Sequence, residues 1–304
     1  MEQLLTRARH IEVQVIGDGT RGVAGLGDRD CSLQRRRQKL IEIAPAAVSG
    51  AVRARLSEAA VTLTGSARLA GLATVEFLVQ DDTIAFLEVN PRLQVEHTVT
   101  EQVTGLDLVE LSLRVADGAD LGALGLNGLT EGGLTEGGLA RGGPQRGVAI
   151  QARVNAESPQ PDGTVRPGAG ALSRFQPPVG RGVRVDTAGY PGYAVSSRYD
   201  SLLAKVITDG GTLQEAARRA VRALAEFGIG WRANQRSPAP GRPAGARARH
   251  AGRGLGGRAR RRAGQLGPGR GGAVPRGQRC LSRPARIRAH PDLVGSSAGR
   301  IANT

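Results

Sequence analysis

Lysine is nearly missing from this chain: Lys39 and Lys205 stand against forty arginines. Cysteine is as scarce. Cys31 and Cys280 are too few for a disulfide framework, which makes a reducing cytoplasm the default compartment. No apolar run approaches the ~20 residues of a membrane helix, and no basic-then-apolar leader follows Met1. A membrane role is therefore not expected. Aromatic residues make up 3% of the 304 residues, and none occurs after Trp231.

The charge that is present is unevenly placed. The net +15 invites a nucleic-acid reading, but residues 231–304 alone carry 17 arginines against one acid, Asp292. The preceding 230 residues hold 25 basic and 26 acidic side chains and are close to neutral. The basic segment, dominated by Arg, Gly, Ala and Pro, has too little to bury to offset its ordering entropy and reads as a disordered tail. Its composition fits out-of-frame translation of a gene rich in G and C, testable in the other two frames from about codon 230. A nucleic-acid-binding arm acting through phosphate neutralisation is the alternative. A second low-complexity stretch, LTEGGLTEGG (Leu129 to Gly138), has no apolar face and reads as a flexible insertion.

Elsewhere the pattern is mixed α and β. HIEVQVIG, an Asp18-Gly19 turn and GVAGLG read as strand, turn, strand. Val52, Leu56, Ala59, Ala60, Leu63 and Ala67 recur at helical spacing, as do Leu106, Val109 and Leu113, and then Leu213, Ala217, Ala220, Leu224 and Phe227. TVEFLVQ and TIAFLEVN flank Asp81-Asp82 as a hairpin, and AIQARVNAE, LSRFQPPV and VRVDTA read as further strands.

The hairpin carries the first chemical signal. With Asp81 to Thr83 as its loop, Val75 faces Val89, Phe77 faces Leu87 and Val79 faces Ala85, while Glu76 lies opposite Glu88. Like charges opposed across two strands are destabilising, and a hard divalent cation between them removes the penalty. Asn90, on the same face, adds an amide oxygen. The alternation runs on from Leu87 to Glu96, so that one face of an extended segment presents Glu88, Asn90, Arg92, Gln94 and Glu96. Arg92 suits a planar oxyanion, and Glu96 follows where a base would stand. Lys39, in so lysine-poor a chain, reads as a place where a compact ammonium is needed.

RHIEVQV (Arg9 to Val15), RDCSLQRRRQK (Arg29 to Lys39), VEFLV (Val75 to Val79), FLEVNPRLQVEHTVTE (Phe86 to Glu101), ARVNAE (Ala152 to Glu157) and RYDSLLAK (Arg198 to Lys205) occur in order. Together they resemble the biotin carboxylase component of biotin-dependent carboxylases, over roughly residues 2–230. E-x-N-x-R alone also fits other ATP-grasp ligases, such as carbamoyl-phosphate synthase. The resemblance implies an α+β chain: a partial ATP-grasp domain (1–120), a Gly-rich insertion (121–145), part of the biotin carboxylase C-terminal mixed domain (146–230) and the basic tail (231–304). It implies Mg²⁺ (or Mn²⁺) on Glu76, Glu88 and Asn90, and ATP beside His10, Arg37, Glu76 and Glu88. Bicarbonate falls to Lys39, Arg92, Gln94 and the Val95 backbone, with Glu96 as its base, and biotin on a carrier protein to Arg153. The implied catalytic set is Arg92, Glu96, Arg153 and Lys39. The implied partners are a biotin carboxyl carrier and a carboxyltransferase, with a second copy of the chain as a further candidate.

Three departures shape the functional expectation. No G-x-x-G-G-G-x-K-G-like string is present, so the resemblance starts in the middle of the ATP-grasp fold. Arg37 and Thr98 stand where relatives often have His or Asn, and Pro. The likeness stops near Gly230. Without a lid to exclude water from the phosphates, the chain alone is expected to show no bicarbonate-dependent ATP hydrolysis. A non-catalytic remnant that only docks on carboxylase components is the alternative.

Overall fold

A computed structural model describes residues 5–35, 37–126, 146–160 and 164–232. The Gly-rich repeat lies outside the described residues, as does the basic tail except for Trp231 and Arg232, which were expected in the tail but complete the last strand. Among those described, the strands are β1 (Arg9–Asp18), β2 (Val23–Arg35), β3 (Gln38–Ala44), β4 (Ala70–Gln80), β5 (Thr83–Asn90), β6 (Val148–Asn155), β7 (Glu157–Pro159), β8 (Val165–Pro167), β9 (Gly170–Gln176), β10 (Val183–Thr187), β11 (Ala194–Val195), β12 (Leu202–Gly210) and β13 (Gly228–Arg232). The helices are α1 (Gly50–Ser66), α2 (His97–Thr104), α3 (Leu108–Ala116) and α4 (Leu213–Glu226).

Eight strands form one sheet in the order β10-β12-β6-β3-β2-β1-β4-β5, and every pairing in it is antiparallel. Pairing of β3 with β6 runs the sheet from the first part of the chain into the second. The remaining strands pair as β11-β9-β13 and as β7-β8.

The period-two alternation of β1 sets the two faces. Ile11, Val13 and Val15 join Val75, Phe77 and Val79 of β4 against Val52, Leu56 and Ala60 of α1. On the other face, Ile16 and Leu72 meet Leu108, Leu111 and Val115 of α3 together with Leu121, Leu124 and Leu126. Further along that same face the chain places Gln14, Thr74, Glu12 and Glu76, all buried. The face therefore changes from apolar to charged along its length, and the functional cluster stands at the charged end. Val154, Leu172, Leu203, Val206, Ala223 and Ile229 make a separate core around β6, β9, β12 and α4.

Several sequence expectations need correction. The buried stripe of α1 is Val52, Leu56, Ala60 and Thr64, with Leu63 39% exposed. The helix assigned to Leu106, Val109 and Leu113 is α3, which buries Leu108, Leu111 and Val115 instead, leaving Val109 and Leu113 outside. The second strand continues well past GVAGLG, to Arg35, and β3, β12, β13 and α2 were not foreseen. In the hairpin, Val75↔Val89 and Glu76↔Glu88 hold as expected, but Phe77 faces Phe86 and Val79 faces Ile84. The turn is therefore Asp81-Asp82, with Asp81 at φ 53°. Leu87 is the extra residue of a β-bulge that restores the apolar register beyond the two-residue turn. Finally, the extended segment ends at Asn90; past it, Gln94 and Glu96 are buried in a loop while Leu93 is exposed.

Gly17 shows how closely β1 and the α1–β4 connection approach, since a Cβ there would lie 2.2 Å from the backbone oxygen of Leu69. A Gly17→Ala substitution should cost about 2–3 kcal/mol through forced backbone displacement, read as a lower urea midpoint at unchanged slope.

Candidate active site

Strand register assembles the centre. Arg29 of β2, Glu12 of β1, Glu76 of β4 and Glu88 of β5 lie opposite one another in a single row. Three neighbouring acids are tolerable only with compensation, and the compensation is specific. Lys39 Nζ donates to Glu12 Oε1, to Glu76 Oε1 at 3.2 Å and to Glu96 Oε1 at 2.6 Å. The fully buried Arg29 donates through Nε and Nη2 to Glu12 Oε2 at 3.3 and 3.2 Å. Its Nη1 reaches Gln14 Oε1 at 2.8 Å and Thr100 Oγ1 at 3.0 Å.

Glu96 stands at the N-cap of α2, yet its side chain makes no capping bond. It turns instead to Lys39 and, through Oε2, to Arg153 Nη2 at 3.0 Å. Burial, the largest influence, would raise its carboxyl, but Arg29, Lys39 and Arg153 outweigh it and hold the group at about 2. Glu76 is likewise held at about 2: burial is overcome by hydrogen bonds from His10 and Gln94 and by the Lys39 charge. Lys39 is raised in turn, burial being outweighed by Glu12 and Glu96. Burial pushes Glu12 and Cys31 upward.

The expected metal ligands do converge. Asn90 Nδ2 donates to Glu76 Oε1 at 3.0 Å and to Glu88 Oε1 at 2.8 Å, so both carboxyl groups lie on one side of the sheet. Two carboxylates and an amide that can present its oxygen form a hard-oxygen set suited to Mg²⁺. His10 receives Gln34 Nε2 on Nδ1 at 2.8 Å, which places its own proton on Nε2, 2.6 Å from Glu76 Oε2. Gln94 donates to Glu76 Oε1 at 2.9 Å, while its own Oε1 is buried and unpartnered among the described residues. That orphaned acceptor fits a ligand carrying a hydroxyl, as bicarbonate does. The Val95 carbonyl accepts from Lys205 Nζ at 3.3 Å. Arg92 is exposed, its hydrogen bonds among the described residues going to Asn90 Oδ1 at 3.4 Å and the Leu93 carbonyl, and Arg37 sits on an exposed turn at φ 67°, outside this cluster.

Glu12, Arg29 and Glu42 were assigned no role from the sequence. For Glu12 the signal was available: His10, Glu12 and Gln14 alternate with Ile11, Val13 and Val15, the rule that exposed Glu88 and Asn90. Arg29 and Glu42 interrupt strands covered on both faces, where burial had to be seen to be known.

Known proteins resemble this chain over most of its length. Residues 1–124 match the carbamoyl-phosphate synthase L chain ATP-binding domain, and residues 151–235 match the biotin carboxylase C-terminal domain. Biotin carboxylase 1 of Bacillus subtilis (strain 168) is 40% identical over 232 residues, which cover 75% of this chain and 48% of that protein. The biotin carboxylase domain of a single-chain bacterial carboxylase superposes with TM-score 0.64 at 46% identity, over 75% of this chain and 50% of that one. The biotin carboxylase domain of a thermophilic 2-oxoglutarate carboxylase, solved with bicarbonate, gives TM-score 0.66 at 34% identity, over 76% and 48%. The chain thus spans about half the length of these relatives. No described helix is long and apolar enough to cross a membrane. By these matches, an ATP-grasp segment followed by a biotin carboxylase C-terminal segment, the chain belongs to the biotin carboxylase family.

Proposed function

We propose that the chain supplies the metal- and bicarbonate-binding half of a biotin carboxylase site, from a partial ATP-grasp domain (1–120) and a partial C-terminal domain (146–230). The reaction is ATP- and bicarbonate-dependent carboxylation of biotin borne on a carrier. The observation that carries this reading is Glu96: buried, with one oxygen on Lys39 and the other on Arg153, beside the in-register Glu76–Glu88 pair.

Glu76, Glu88 and Asn90 would hold Mg²⁺ or Mn²⁺, which stabilises charge on the nucleotide phosphates when bound. His10, hydrogen-bonded to Glu76, would lie beside the nucleotide, and Arg37 would have to reach it from an exposed turn outside the cluster. Bicarbonate would be received by Lys39, the Gln94 amide and the Val95 backbone, with Arg92 turning in from its exposed position. Glu96 takes the bicarbonate proton as a bicarbonate oxygen attacks the γ-phosphorus with loss of ADP, and the resulting carboxyphosphate breaks down to CO₂ and phosphate. The released phosphate takes the ureido N–H proton of biotin, whose nitrogen then captures the CO₂, with Arg153 balancing the negative charge on the ureido oxygen. At about 2, Glu96 is a weak base while Arg153 and Lys39 both hold it. Transfer of Arg153 from Glu96 to biotin removes one of those cations, coupling proton acceptance to arrival of the second substrate. A carboxyl carrier and a carboxyltransferase are the partners this chemistry requires, and a second copy of the chain is a further candidate.

Manganese binding followed by electron paramagnetic resonance tests the reading without requiring turnover. Glu76→Gln and Glu88→Gln should each weaken Mn²⁺ by about tenfold or more, as loss of a ligand does; unchanged affinity in both would remove the metal site. The purified chain given ATP, Mg²⁺, bicarbonate and free biotin should release no phosphate above background, because the family's lid is not among its motifs. Robust turnover would overturn that part alone.

A further inference from the structure

Arg153 is held at two edges by two different acids. Its Nη2 meets Glu96 Oε2 at 3.0 Å, and its Nε meets Glu42 Oε1 at 2.6 Å. Glu42 is fully buried on β3, one strand away. Its second oxygen accepts from Gln151 Nε2 at 2.9 Å, and the Gln151 oxygen accepts in turn from the Thr98 hydroxyl. The chain of contacts thus runs from α2 through β6 to β3 and back to β6.

We propose that Glu42 is a positioning residue: it fixes the Arg153 guanidinium through Nε, with Gln151 and Thr98 holding the carboxylate from behind, so that the opposite edge stays turned toward Glu96 and substrate. Two donors anchored to separate carboxylates define the plane of a rigid fork. The other three N–H donors find no partner among the described residues and remain for a ligand. A buried carboxylate is a costly way to fill space, since an apolar side chain of similar volume is often neutral or stabilising. The cost is visible: burial drives the Glu42 carboxyl up to about 7, against the pull of Arg153, with the Glu96 charge adding to the rise. Arg153 from β6 and Glu96 from the start of α2 are the charged groups that face it. The inference rests on the biotin carboxylase reading only for the identity of what Arg153 touches.

The test uses the full chain with ¹⁵N-labelled arginine, the Arg153 Nε–Hε signal being identified by its loss in Arg153→Lys. In the parent protein this proton should exchange slowly and its shift should titrate with a midpoint near 7. In folded Glu42→Gln the titration should vanish, exchange should quicken by about tenfold, and phenylglyoxal should modify Arg153 faster. Thr98→Val, which replaces the hydroxyl by a methyl, should quicken exchange and phenylglyoxal modification by less while the titration persists; it carries the test if Glu42→Gln fails to fold. Unchanged exchange and reactivity in a folded variant would overturn the proposal. Free biotin should shift the same signal in the parent protein. If it does not, while Glu42→Gln still releases Arg153, the positioning role stands and the biotin assignment falls.

Discussion

Arg29→Met should destabilise the chain by about 3–5 kcal/mol, the usual cost of breaking a buried ion pair by removing one partner. Arg29 is 0% exposed and is shared between Glu12, Gln14, Thr74 and Thr100. Its loss would leave the buried Glu12 carboxylate facing Glu76 and Glu96, with Lys39 as the chief remaining cation. Thr100 belongs to α2, so the same substitution unties the helix that carries Glu96 from the sheet. Urea unfolding measures the effect, and a loss below about 1 kcal/mol would show that the pair is not a structural requirement. Adding Glu12→Met should restore most of the stability, because the uncompensated charge leaves with it.

Stability should also peak in acidic solution, near pH 4.5. Glu76 and Glu96 are depressed from 4.5 to about 2, so their contribution is present above 4.5 and is lost as pH falls toward 2. Glu42 works the other way. Its carboxyl is raised from 4.5 to about 7, so the folded state binds more protons than the unfolded chain across that interval, and stability declines as pH rises through it. A displacement of that size corresponds to about 3 kcal/mol. His97, lowered chiefly by burial, opposes this by adding stability as pH rises through 6.5. Glu42→Gln isolates the carboxyl: the fall between about pH 4.5 and pH 7 should flatten in the variant when both proteins are unfolded chemically at each pH. An identical profile in the variant would mean that Glu42 keeps its ordinary acidity despite its burial.

The parts of the fold that could be read from the sequence are those where one face is apolar and the other polar. β1, β4 and β5 show that alternation, and it alone brought Glu76 opposite Glu88. The latter half of β2, DRDCSLQR, did not read as strand because its buried polar groups are satisfied by partners distant in sequence, Arg29 by Glu12 and Asp28 by Arg53. α2 was missed for a related reason. HTVTEQVT is rich in β-branched residues, which disfavour helix. The helix is held by tertiary contacts: Thr98 to Gln151, Thr100 to Arg29, and Val99 and Val103 against Ala44, Ala149 and Ile207. Arg92 and Glu96 were expected on one extended face. The strand stops at Asn90, and the two diverge, Glu96 into the buried cluster and Arg92 toward solvent.

The bulge at Leu87 divides the hairpin into two regions under unequal constraint. At the tip, Asp81-Asp82 closes the ribbon, and a change of length there can be absorbed by gaining or losing the surplus residue at the kink. At the base no such slack exists, because sliding Glu88 by one place would point it through the sheet. Insertions and deletions should therefore be tolerated between residues 81 and 87 and selected against from Glu88 onward, a boundary that a library of single-residue deletions would map directly.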